Sequence, residues 1–64
     1  MTTQQRTLLH TIEGPKGKAE VFELESASGD SVVTEYEVTF GQRQERVPAL
    51  GHAVILAEEL VGRA

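Results

Sequence analysis

Val47 to Gly62, VPALGHAVILAEELVG, is the one stretch of this 64-residue chain that reads as a helix, and it decides the fold. At about 100° per residue, Leu50, Ala53, Val54, Ala57, Leu60 and Val61 fall on one face. Ala49 and Leu56 widen that face, while His52, Ile55, Glu58 and Glu59 point away from it. The small Ala53 and Ala57 at its centre let the helix backbone lie close to a sheet. Pro48 suits the first helical position, where its missing N–H is no loss. Gly62 suits the residue just past the end, where a left-handed backbone is needed. No Ser, Thr, Asp or Asn precedes Pro48, so the helix is expected to lack a side-chain N-cap. Glu58 and Glu59 sit where the helix dipole disfavours negative charge, and Arg63 offsets part of this.

Everything before the helix reads as strand and turn. Thr7 to Glu13 (TLLHTIE) is β-branched and partly alternating, and suits a first strand with Leu8, His10 and Ile12 on one face. Gly14-Pro15-Lys16-Gly17 is the strongest turn signal. Lys18 to Glu25 reads as the second strand, and Ser26 to Asp30 as a loop. Ser31 to Phe40 (SVVTEYEVTF) alternates almost completely, as a strand with one wet face does. Gly41-Gln42 suits a two-residue hairpin turn of type II′. Arg43 to Val47 is then a short, charged fourth strand fit for a sheet edge.

The fold class follows: α+β, an antiparallel three- to four-stranded meander followed by one C-terminal helix packed on one sheet face, βββα or ββββα. Residues 1–5 are expected to fray, and 6–64 to form a single small domain. Tyr36, Val38 and Phe40 are expected beneath the helix with Phe22, Leu24 and either Leu8 and Ile12 or Leu9. The opposite face then carries Val21, Glu23, Glu25, Val33, Glu35, Glu37 and Thr39, the four glutamates forming an acidic ladder.

Composition removes several function classes. The chain has no cysteine, hence no disulfide framework, thiolate metal site or cysteine nucleophile. That fits a reducing compartment, and a cytoplasmic location is expected. No run approaches the roughly 18 apolar residues of a membrane span, and MTTQQR lacks the apolar core of a signal peptide. A net charge of −4 works against sequence-independent nucleic-acid binding.

The residues that could carry chemistry are scattered. His10 and His52 lie on different elements with no second ligand at metal spacing. Ser26, Ser28 and Ser31 cluster around one loop, and no Gly-x-Ser-x-Gly elbow exists. Gly14-Pro15-Lys16-Gly17-Lys18 lacks the phosphate-loop spacing and precedes a strand rather than a helix. Paired glutamates on an open sheet face lack the cleft that acid–base chemistry needs. No catalytic residue, metal ligand, cofactor or small-molecule substrate is indicated, and no motif is specific enough to name a family.

The expected function is a non-enzymatic protein-interaction or accessory module. Its partner is a second copy of the chain, as a homodimer, or another protein. The helix arc is wider than one small sheet needs, so Ile55, Leu56 and Glu59 are the expected contact residues. The alternative is a nucleic-acid-binding module that reads through Arg43, Gln44 and Arg46 on the charged strand.

Overall fold

A computed structural model describes residues 3–63. Four strands, β1 (Thr3–Gly14), β2 (Gly17–Ser28), β3 (Ser31–Phe40) and β4 (Arg43–Val47), precede one helix, α1 (Leu50–Val61). The strands form one antiparallel sheet in sequence order, and α1 packs across it. The expected ββββα meander is the fold. β1 takes in Thr3 to Arg6 as well as the alternating stretch, so Thr3 to Gln5 are paired with β2. Met1 and Thr2, the rest of the segment expected to fray, lie outside the described residues.

Which side chains lie under the helix follows from turn length. Residues 26–28 continue β2 instead of looping, so only Gly29-Asp30 separates Ser28 from its partner Ser31. A two-residue turn places odd positions of β2 opposite even positions of β3. Ala19 therefore pairs with Phe40 and Val21 with Val38, and these join Tyr36 beneath α1. Phe22 and Leu24 pair with Glu37 and Glu35 on the other face. The expected partners of Tyr36, Val38 and Phe40 are thus corrected: Ala19 and Val21 replace Phe22 and Leu24. The acidic ladder does not form. Glu23 and Glu25 share the face of Tyr36 and Thr34, while Glu35 and Glu37 take the opposite one.

β1 departs from strict alternation as well. Leu8 pairs with Phe22 and His10 with Val21, so Leu9 is an extra residue in a bulge. The bulge sends His10 and Ile12 to the helix face and Leu8 to the other. The sequence pattern had placed Leu8 and Ile12 together.

The core is compact and lies at one end of the sheet. Ile12, Ala19, Val21, Val38, Val47, Ala53, Ala57 and Val61 are buried together, with Tyr36, Phe40, Leu50, Val54, Leu56 and Leu60 packed around them. A 12-residue helix is about 18 Å long, whereas a 12-residue strand runs about 40 Å. The molecule is accordingly elongated, 43 × 19 × 15 Å. The half of the sheet that ends in the Gly29-Asp30 turn projects beyond the helix, with both faces bare.

The ends of α1 largely follow the chemistry of their residues. Gly62 has φ 85° and ψ 22°. Its N–H donates to the Glu59 carbonyl at 3.2 Å and the Arg63 N–H to the Glu58 carbonyl at 2.8 Å. This is a Schellman closure, and glycine tolerates the left-handed backbone it needs. Pro48 lies one residue before the cap and not at the first helical position: Ala49 is the N-cap, and its carbonyl accepts from the Ala53 N–H at 3.0 Å. Ala49 has the extended backbone of an N-cap (φ −133°, ψ 143°) without a side chain that can accept, and the first turn contains no acid. Ala49→Asp is expected to raise the unfolding free energy by about 1 kcal/mol through a side-chain cap and the helix dipole. Urea titration of both proteins checks this, and no gain for the aspartate would sink the capping argument.

Candidate functional site

The face away from the helix holds the most organised cluster of polar side chains. The register lines up one residue from each strand: Leu8, Phe22, Glu37 and Arg46. Arg6 comes from the adjoining row, opposite Leu24, and reaches diagonally across. Its guanidinium stacks over the Phe22 ring, 3.9 Å from the centroid, and Nη2 donates to Glu37 Oε1 at 2.7 Å. Arg46 Nε lies 3.9 Å from Glu37 Oε2 on the other side. Glu37 is the one charged residue buried among those described, held between two arginines that are half open to water. Such half-exposed pairs and stacks contribute up to about 1 kcal/mol each. Leu24 is only 5% exposed although no element covers it. Its cross-strand neighbours Arg6 and Glu35 flank it, and long side chains can shield an apolar neighbour with their stems. This cluster ties four strands together. It presents no enclosed cavity among the described residues.

The charged strand does not present its residues as a single reading surface. Alternation puts Gln44 and Arg46 on the face of Glu37, and Arg43 on the helix face with Glu45. Arg43 Nε lies 3.4 Å from Glu45 Oε2, so both arginines stand beside a carboxylate. His10 and His52 are exposed on separate elements. Among the described residues, no group of three acidic, histidine or cysteine side chains converges. No helix among the described residues is long and apolar enough to cross a membrane.

On α1, Ile55 is 57% exposed and Glu59 is exposed with it. Leu56, grouped with them in the sequence, is half-buried against the core. Ile55 therefore stands as an isolated aliphatic on the outer helix.

The projecting half of the sheet carries what the sequence pattern did not single out. Val32 is 63% exposed and Val33 53%, whereas Leu8, 48% exposed, lies in the row of Arg46 on the face away from the helix. Val32 and Val33 point to opposite faces of the same strand. β4 pairs only with Tyr36 to Phe40, so Ser31 to Glu35 have no neighbour on that side among the described residues. The alternation of β3 and the brevity of β4 were both visible in the sequence. Together they imply this open edge once the turn lengths are known.

No protein-family model, curated protein or solved structure matches this chain.

Proposed function

We propose that this chain is a small cytoplasmic, non-enzymatic interaction module that associates with a second copy of itself. The observation that carries this reading is the distribution of exposed apolar side chains. Of the four large hydrophobics exposed among the described residues, Val32 and Val33 lie on the half of the sheet that outruns the helix, and Leu8 lies on the face away from it. Single exposed aliphatics such as Ile55 are ordinary. Two on opposite faces of one thin projection, beside a strand edge that β4 leaves open, give surface that a second molecule can cover. The absence of cysteine supports the cytoplasmic assignment.

The outer helix, with Ile55, Leu56 and Glu59, is the weaker candidate for the contact because Leu56 is already engaged with the core. The nucleic-acid alternative through Arg43, Gln44 and Arg46 gains nothing from side chains that divide between two faces and stand beside Glu37 and Glu45.

Sedimentation equilibrium from micromolar to millimolar protein tests the reading. The weight-average mass is expected to rise with concentration from 7.0 kDa toward twice that value. A mass that stays at the monomer value throughout discards self-association.

A further inference from the structure

We infer that two copies join edge to edge through Ser31 to Glu35 of β3, antiparallel about a two-fold axis at Val33. This deepens the self-association reading and rests on it.

An edge strand leaves a row of N–H and C=O groups unpaired within the chain, and proteins usually blunt such edges with charge, proline, bulges or cover. The outer edge of β1 has a bulge at Leu9 and carries Arg6, His10 and Glu13. The outer edge of β4 carries Arg43, Glu45 and Arg46 along its short length. Ser31 to Glu35 has none of these devices before its last residue: Ser-Val-Val-Thr is uncharged, largely β-branched and free of glycine and proline. Among the described residues it is the one segment of open edge that invites another strand.

A second copy suits this segment because the segment complements itself. A two-fold axis normal to the sheet at Val33 sets Val33 opposite Val33 of the second copy. Val32 then meets Thr34, and Ser31 meets Glu35. Each pair points to the same face, as antiparallel pairing requires. No like charges meet directly, since the only charge in the segment faces a serine hydroxyl. Val33 gains an apolar cross-strand neighbour, and Val32 gains the methyl group of a threonine. The arrangement also uses the shortness of β4. Its pairing ends at Tyr36, so the second copy's β3 continues the row that β4 leaves open. The axis gives the second copy's β4 the same relation to this chain. One continuous sheet results, with both helices on the same face. The interface is isologous and closed, so the product is a dimer and not a fibre.

Sedimentation of the full chain and three variants, with oxidative cross-linking of two more, tests the pairing. Val33→Lys puts two positive charges face to face at the axis. It is expected to remain monomeric at concentrations where the parent chain is dimeric, with an unchanged far-ultraviolet circular dichroism spectrum. Ile55→Asp and Arg46→Ala are expected to dimerise like the parent. The chain has no native cysteine, so Val33→Cys is expected to oxidise to a covalent dimer about tenfold faster than Val32→Cys, whose side chain faces Thr34 and not its own copy. The cysteine pair decides the matter if Val33→Lys fails to fold. A dimer that survives Val33→Lys and is lost in Ile55→Asp overturns the edge pairing but leaves self-association standing. Equal cross-linking of the two cysteine variants overturns the register. A parent chain that stays monomeric at millimolar concentration overturns both the pairing and the self-association reading.

Discussion

Gly14→Ala is expected to lower the unfolding free energy by roughly 2–4 kcal/mol, from overpacking and a lost backbone hydrogen bond. Stability for a chain of this size is only roughly 3–10 kcal/mol, so the loss is a large share of it. A Cβ at position 14 would overlap the Val61 carbonyl oxygen and lie 2.8 Å from Val61 Cγ2 and 2.9 Å from Arg63 Cγ. The arginine can swing aside. The Val61 carbonyl cannot, because it is backbone and accepts from the Lys16 N–H at 2.9 Å. The end of α1 must therefore lift from the first turn of the sheet, and that bond is lost with it. Gly51→Ala is the matched control. Nothing lies within 4 Å of a Cβ there and the residue sits on the helix, so alanine is expected to add up to about 1 kcal/mol. Urea titration of the two variants should move the midpoint in opposite directions. A downward shift of equal size in both would show that the close approach at Gly14 is not the cause.

Ala57→Leu should cost roughly 1–3 kcal/mol by overpacking. Ala53 and Ala57 are fully buried, in the same cluster as Val21 and Val38. Their small size sets how near the helix backbone lies to the sheet. A leucine at 57 has no room to fill and must push the helix away, which also loosens Ala53 and Val61. Ile55→Leu, a change of equal chemistry on the open side of the same helix, should move the midpoint by less than about 0.5 kcal/mol. Thermal and urea unfolding of the two variants make the comparison. A neutral Ala57→Leu would mean that the helix is not held at close range.

The element order was legible because each signal was local. The helix follows from the spacing of Leu50, Ala53, Val54, Ala57, Leu60 and Val61, and its end from Gly62. The last hairpin follows from Gly41-Gln42: Gly41 has φ 60° and Gln42 keeps a negative φ, as a type II′ turn requires. The sheet faces were not legible, because they depend on parity. A five-residue loop at Ser26 to Asp30 joins odd positions to odd ones and puts Phe22 and Leu24 under the helix. The two-residue turn that forms instead puts Ala19 and Val21 there. The serines and Ala27 are weak strand formers, so their composition suggested loop, and pairing with Val32 and Val33 overrode it. The bulge at Leu9 has no marker residue, and it reverses Leu8 for the same reason of parity. The Arg6–Phe22–Glu37 cluster was hidden by these two effects together. Its members share a face only once the turn and the bulge are both placed.

The contact of Lys16 with Val61 has a consequence for the order in which the chain folds. Each strand pairs with its neighbour in sequence, so the sheet has low contact order and its hairpins close over short loops. The seam between the first turn and the last helical residue is different, because it encloses most of the chain. Loop-closure entropy grows slowly, by about 0.6 kcal/mol for each doubling of the enclosed length, so the seam is thermodynamically inexpensive to form. Its delay is kinetic: the helix has no surface to dock on until the meander exists. A chain of local hairpins would otherwise open one hairpin at a time. By closing late and enclosing most of the chain, this seam turns three sequential pairings into a single cooperative transition.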